Sequence, residues 1–112
     1  MKTPLLPGEQ PVKDGGASLQ LGIDASGGWL YLTNMRLVFE SHAFNLQTGT
    51  AIIPLKSVAS TRLCWTRWFG LFPLFPNSLV VSTNEGRDYQ FIVFGRQLWK
   101  NVVDWHVAAL GK

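Results

Sequence analysis

The fold is decided by residues 28–39, which read GWLYLTNMRLVF. After Asn34, the apolar residues Leu37 and Phe39 fall on one face of an extended strand, as expected where a sheet buries one side. Asn34 tolerates the left-handed backbone of a tight turn, so the chain can reverse direction there. The stretch therefore predicts an antiparallel hairpin with strands at residues 29–33 and 35–40.

The same alternation extends outward from this hairpin, between turn signals roughly 8–12 residues apart, which is typical of a small antiparallel barrel or sandwich. Gly27 and Gly28 are expected to form a turn after a first strand that carries Leu19, Leu21 and Ile23 on one face. Asn84-Glu85-Gly86 is a hairpin signal near the other end of the chain. Further strands are predicted at residues 51–54, 58–65, 78–83 and 87–94.

From Gly95 onward the apolar residues recur with the period of a helix. One predicted stripe consists of Leu98, Val102, Trp105 and Ala109, and the adjoining stripe of Trp99, Val103, His106 and Leu110. Trp99 and Trp105 are both expected in the core, and Gly111 is expected to end the helix. Strands followed by one amphipathic helix predict an α+β protein, an open barrel plugged by that helix.

Composition limits the chain to one domain and favours a folded one. The 112 residues are 46% apolar and 15% charged, with a net charge of +3. Residues 1–16 are rich in Gly and Pro and predict a loosely ordered N-terminal arm, so that residues 17–110 form the domain. The basic residues are scattered, whereas a nucleic-acid site needs them clustered. A single cysteine, Cys64, favours a reducing, cytoplasmic setting.

Residues 28–39 also resemble the G-x-L-Y-L-T-N-x-R-L-V-F signature of GRAM domains, which belong to the pleckstrin-homology-like superfold. Three further segments resemble the family at corresponding places: Ile53-Pro54-Leu55, residues 72–79, and Gly95-Arg96 followed by Trp99. The resemblance covers about residues 8 to 110. It implies a bent sheet of about seven antiparallel strands capped by one C-terminal helix.

The function implied by the resemblance is binding, because this superfold carries lipid-headgroup binders, peptide binders and scaffolds. Eukaryotic GRAM domains are associated with phosphoinositides and membrane-contact proteins. The chain is similar in length to small stand-alone bacterial members of the family.

A phosphoinositide pocket is not favoured by the distribution of basic residues. Such a pocket needs several Lys or Arg side chains converging on the phosphates. Residues 17–33 contain none. Lys13 lies just before them, and Arg36 is expected to point outward from its strand and to pair with Glu40 or a neighbouring strand.

The predicted binding surface is an aromatic loop over residues 65–76, where Gly70, Pro73 and Pro76 argue against a continuous helix or strand. Aromatic side chains in a surface loop either fold back onto the protein or meet a partner. The candidate residues for binding a partner or a membrane are Trp65, Arg67, Trp68, Phe69, Phe72 and Phe75.

Three uses of this loop stay open: packing within the protein, association with a protein partner or a second copy, and insertion into a membrane. Burying a large apolar side chain contributes about 1.5–3 kcal/mol, so three aromatics would suffice for reversible membrane binding. Arg62 and Arg67 would add about 1 kcal/mol each at an anionic surface. We expect a non-catalytic scaffolding module that binds a protein or itself, with peripheral binding to an anionic membrane as the alternative.

Catalysis finds little support in the sequence. The chain has no nucleophile elbow, no glycine loop that would cradle a nucleotide phosphate and no metal-ligand spacing. Cys64 has no sequence neighbour that would activate its thiol as a nucleophile, and His42 has no second ligand near it in the sequence. We therefore expect no enzyme activity, no cofactor, no metal and no nucleotide.

Overall fold

A computed structural model describes residues 1–21, 24–42, 50–68 and 72–110, with the backbone alone at residues 21, 24–25, 65–68 and 72–77. Seven strands lie within these residues: β1 (Pro11–Leu21), β2 (Asp24–Thr33), β3 (Arg36–Ser41), β4 (Thr50–Pro54), β5 (Val58–Trp68), β6 (Phe72–Thr83) and β7 (Asp88–Val93). A 3-10 turn at Leu55–Ser57 joins β4 to β5, and the helix α1 spans Arg96–Ala109. The predicted α+β class with one C-terminal helix is confirmed.

All strand pairs are antiparallel and form one sheet in the order β4-β3-β2-β1-β7-β6-β5. The first strand therefore lies in the middle of the sheet, where Ala17 pairs with Val93 and Leu19 with Phe91. Strands β4 and β5 form the two edges. This order makes β1 the link between a meander of β1 to β4 and a meander of β5 to β7.

The central hairpin predicted from residues 28–39 is confirmed. Tyr31 pairs with Val38 and Leu32 with Leu37 across β2 and β3. The hydroxyl oxygen of Thr33 accepts hydrogen bonds from the backbone N–H groups of Met35 and Arg36, both at 3.1 Å. A buried threonine thus closes the turn.

The predicted turn at Gly27 and Gly28 is wrong, because both residues lie within β2. They pair with Ser18 and Ala17 of β1. A Cβ atom at Gly28 would lie 2.3 Å from the carbonyl oxygen of Glu40 and 2.8 Å from the ring of Phe39. Glycine is needed at position 28 for the close approach of β3, not for chain reversal.

The core lies between the sheet and α1. Its buried side chains are Leu30, Leu32, Leu37, Phe39, Ile53, Leu55, Val58, Leu79, Val81, Phe91, Val93, Trp99 and Val103. The helix contributes Trp99, which is 2% exposed, and Val103. Trp105, expected in the core, is 66% exposed, because helical geometry puts it on the side of α1 away from Val103.

Part of the predicted N-terminal arm is also in the sheet, because Pro11–Leu21 form β1. Gly15 and Gly16, which suggested disorder, lie beneath tryptophan rings. A Cβ atom at Gly15 would be 3.7 Å from the Trp99 ring, and one at Gly16 would be 3.6 Å from the Trp29 ring. Both distances are ordinary van der Waals separations, so the two rings lie directly over the backbone of β1.

Candidate functional site

The predicted aromatic loop is the end of the β5–β6 hairpin, so the prediction that no strand continues there is wrong. Thr66 pairs with Phe75, Arg67 with Pro73, and Trp68 with Phe72. Strand β6 pairs with β7 only from Ser78 to Ser82. Residues 65–68 and 72–77 therefore form a two-stranded segment beyond the sheet, which we call the aromatic ribbon.

The ribbon tolerates two prolines because, among the described residues, its two strands pair only with each other. Proline removes a ladder donor and is accepted only at an edge or a bulge. Pro73 and Pro76 lie in the part of β6 that has no pairing with β7. The register also shifts between Cys64 and Thr66 and between Thr66 and Arg67, which absorbs the irregular pairing.

The candidate residues predicted from the sequence are distributed over both strands of this ribbon. Trp65, Arg67 and Trp68 lie in β5, and Phe72 and Phe75 lie in β6. Phe69 lies outside the described residues. The backbone register thus brings five of the six candidates into one hairpin.

The base of the ribbon adjoins the start of α1. The guanidinium of Arg96 donates a hydrogen bond of 2.9 Å to the carbonyl oxygen of Cys64. Phe94, just after β7, is 94% exposed. Phe94 comes two positions after Ile92, which pairs with Ser78 at the base of the ribbon. Phe94 is not among the residues predicted for the site, because the alternation of apolar residues marks it only as the end of a strand.

Arg36 does not point outward, and its predicted pairing with Glu40 is wrong. Its Nε donates to Oε2 of Glu9 at 2.7 Å, and its Nη2 donates to Oε1 of Glu9 at 3.0 Å. Thr33 also donates its hydroxyl to Glu9. The Arg36 hydrogen bond holds the pKa of Glu9 at about 2, although burial of the carboxyl opposes the shift.

The first ten residues form a strap that polar contacts hold against β3, and we call residues 1–10 the N-terminal strap. Arg36 donates a second hydrogen bond from Nη2 to the carbonyl oxygen of Pro4, at 2.7 Å. Glu40 accepts hydrogen bonds from the backbone N–H groups of Lys2 and Thr3. Burial raises the pKa of Glu40, but the bonds from Lys2 and Thr3 outweigh it and leave the pKa below its usual value. A groove of about 370 Å³ lies beside the strap; it is lined by Met1, Leu5, Pro11, Val12, Lys13, Asp14, Tyr31, Leu32 and Thr33.

The basic residues near β1 and β3 are already engaged. The ammonium group of Lys13 lies 5.0 Å from the centre of the Trp99 ring, a cation–π distance. Arg36 is committed to Glu9. On β5, Arg62 is 59% exposed and lies 3.6 Å from the Asp88 carboxylate. Lys13 and Arg36 are therefore not placed to bind a phosphate together.

Within the described parts of the chain, no three His, Cys, Asp or Glu residues come close enough to hold a metal ion. The same residues include no helix that is both long and apolar enough to cross a bilayer. Among the described side chains, Leu98 and Trp105 of α1 are exposed, and a groove lies beside the strap.

Solved structures with the same fold are pleckstrin-homology domains at low identity. The Vps36 N-terminal PH domain superposes with a TM-score of 0.70 at 14% identity, over 96% of this chain and 85% of that one. The N-terminal PH domain of human ARAP2 gives 0.65 at 15% identity, over 88% and 80%. The Slm1 PH domain in complex with phosphoserine gives 0.64 at 13% identity, over 88% and 96%. At these identities the likeness shows the fold alone.

No curated protein sequence matches the chain. The sequence pattern of the GRAM domain does match, over residues 1–97. That range includes the central hairpin, the N-terminal strap and the aromatic ribbon, and it ends in the first turn of α1. The chain belongs to the GRAM domain family and has the pleckstrin-homology-like fold.

Proposed function

We propose that this GRAM domain is a non-catalytic interaction module that binds a protein partner, or a second copy of itself, through the aromatic ribbon. Domains of this type mediate interactions with proteins or lipids. The observation that carries the proposal is the pairing of the ribbon, whose two strands pair only with each other among the described residues. A two-stranded hairpin alone is marginally stable in water. Contact with a partner would stabilise it.

The composition of the ribbon supports a protein contact. Four of its ten residues are aromatic, namely Trp65, Trp68, Phe72 and Phe75, and one is Arg67. Aromatic residues and arginine are enriched at the centres of protein interfaces and dominate their binding energy. Phe94 at the base of the ribbon is almost fully exposed and would extend the apolar surface towards α1.

The test is a double variant in the ribbon, Trp68→Ser with Phe72→Ser. Light scattering coupled to size exclusion, from low micromolar to hundreds of micromolar protein, measures self-association. Capture with the wild-type domain as bait measures binding of a partner. The double variant should lose binding of the captured partner and any self-association that uses the ribbon, while its circular dichroism stays unchanged.

A matched control is Ile52→Ser, which removes an exposed apolar side chain from β4, at the other edge of the sheet. The control should keep the association of the wild type. If the double variant unfolds under conditions where the control stays folded, the ribbon is part of the core and the assignment is wrong.

A second candidate function is peripheral binding to an anionic membrane through the same ribbon. Arg67 within the ribbon and the exposed side chain of Arg62 on the same strand favour it. Sedimentation with phosphatidylserine-containing vesicles tests this function. Vesicle binding that weakens as the salt concentration rises would support membrane binding, because salt screens the attraction between exposed charges. Binding to neutral and anionic vesicles alike would count against a role for the arginines.

A further inference from the structure

The outer side of α1 carries an apolar stripe that the core does not use. Trp99 and Val103 face the sheet and are buried. Positions 98, 101, 105 and 108 follow one another along the opposite side of a helix with 3.6 residues per turn. We call these four residues the outer stripe, and all of them are exposed: Leu98, Asn101, Trp105 and Ala108. Leu98 is 56% exposed and Trp105 66%.

The outer stripe is uncharged, and the charges beside it neutralise each other. The ammonium group of Lys100 lies 2.6 Å from the carboxylate of Asp104, one turn further along α1. Asn101 is hydrogen-bonded to Gln97, whose side-chain amide donates at 2.9 Å. Helices that lie on anionic membranes border their apolar face with several Lys or Arg residues. The outer stripe therefore fits a protein surface better than an anionic membrane.

The spacing of the outer stripe is that of a helix-pairing seam. Its steps of three, four and three residues are the a and d positions of a heptad. Large and small side chains alternate along it, in the order Leu, Asn, Trp, Ala. If the helix of a second copy runs antiparallel to the first, each large residue of one outer stripe lies opposite a smaller residue of the other.

We infer that two copies of this domain pair through the outer stripe, with their α1 helices antiparallel about a two-fold axis at the level of Val103. Leu98 then meets Ala108 of the second copy, and Trp105 meets Asn101 of the second copy. Such an interface is isologous and closes at two copies. It lies outside the aromatic ribbon and so goes beyond the proposed function.

The hydrogen-bonding needs of Trp105 support a second copy of the domain as the partner. A buried tryptophan needs an acceptor for its indole N–H. The side-chain carbonyl of Asn101 accepts one hydrogen bond from Gln97 and has a second lone pair free for the indole of the facing Trp105. The ring of Trp105 already rests edge-on against His106, with 4.8 Å between ring centres.

The small area that the outer stripe can bury predicts a weak, reversible dimer. A tryptophan buries at most about 250 Å², so the exposed parts of Trp105 and Leu98 supply a few hundred Å² per copy. A standard interface needs about 800 Å² per partner. We therefore expect dimers at hundreds of micromolar protein and monomers at low micromolar protein.

Sedimentation velocity over this concentration range is the test. In the background of the ribbon variant, which removes association through the ribbon, Trp105→Ser and Ala108→Arg should each keep the protein monomeric throughout. The first removes the large residue, and the second fills the space that receives Leu98. Ile52→Ser should dimerise as the wild type does. The ribbon variant with Trp68→Ser and Phe72→Ser should also still dimerise, so that failure of the proposed function and failure of this inference can be told apart.

Orientation is tested by cross-linking in a Cys64→Ser background. Oxidising a mixture of Leu98→Cys and Ala108→Cys proteins should yield mainly the mixed disulfide. Preferential linking of Leu98→Cys to itself would overturn the antiparallel arrangement. A ribbon variant that stays monomeric at hundreds of micromolar, or dimers of that variant that survive Trp105→Ser, would overturn the inference.

Discussion

Glu9 and Arg36, 27 positions apart in the sequence, form a buried ion pair with 2.7 Å between Oε2 and Nε. The Glu9 side chain is completely buried and that of Arg36 nearly so. Because Glu9 belongs to the N-terminal strap and Arg36 begins β3, the pair joins the strap to the central hairpin. The arginine of the family signature is therefore part of the structural core here.

Removing one partner of this pair should destabilise the domain. Glu9→Gln keeps the shape of the side chain but leaves the Arg36 charge buried without a counter-charge, which typically costs about 3–5 kcal/mol. Urea unfolding followed by circular dichroism measures the change. The double variant Glu9→Leu with Arg36→Met should recover much of the loss, since apolar replacements of a buried pair are often neutral. A change below about 0.5 kcal/mol in Glu9→Gln, as at ordinary surface sites, would contradict this role.

The free energy of unfolding should fall in acid because the Glu9 carboxylate becomes protonated. The pKa of Glu9 is lowered from 4.5 to about 2 in the folded protein. A lowered pKa means that the folded state binds the proton less readily than the unfolded state, so the contribution is complete above pH 4.5 and disappears as the pH falls towards 2. Melting temperatures from pH 6 to pH 2 should show this decrease in the wild type. The decrease should be smaller in Glu9→Gln, and equal slopes in both proteins would refute the assignment.

Gly28→Ala should disrupt the approach of β3 to β2. The added methyl group would lie 2.3 Å from a backbone oxygen, which cannot move without shifting β3. We expect a loss of about 2–3 kcal/mol or failure to fold, as for overpacked sites. Gly27→Ala is a matched control in the same strand, because its nearest neighbour would be 4.0 Å away. Thermal unfolding of both variants decides the matter, and equal effects would contradict the close-approach explanation.

The buried Trp99 and the exposed Trp105 of α1 should respond differently to truncation. Trp99→Ala removes a buried ring from the core and should cost about 3–5 kcal/mol. Trp105→Ala removes a ring that is mostly in water and should change the free energy of unfolding by less than about 1 kcal/mol. Unfolding must be followed at low micromolar protein, where self-association is negligible. A large loss in Trp105→Ala would show that its ring packs more tightly than its exposure indicates.

The hairpin and the helix could be predicted from the sequence because their signals are local. Leu37 and Phe39 follow the period of a strand, and Asn34 marks its turn. The sequence could not reveal that Arg36 meets Glu9, because nothing local connects positions 27 residues apart. Likewise, a glycine that allows close approach looks like one that makes a turn, so Gly28 was assigned the wrong role.

For the candidate surface, the sequence located the aromatic residues but not their secondary structure. Pro73 and Pro76 argue against a strand only if both edges of that strand are paired. Whether that edge of β6 is paired depends on where β7 ends, and the end of β7 is set by pairing across the whole sheet. The outward position of Trp105 was missed for a similar reason: two adjoining apolar stripes on one helix do not say which of them meets the sheet.

The position of β1 in the middle of the sheet also has a consequence for how the chain folds during synthesis. Ala17 in β1 can pair with its second neighbouring strand, β7, only after Val93 has been synthesised. Until then β1 exposes an unpaired edge, which is a template for pairing with other chains. Sheets that depend on such distant pairings fold slowly. The nascent protein should therefore be most prone to aggregate, and most dependent on chaperones, in the interval before its last strand leaves the ribosome.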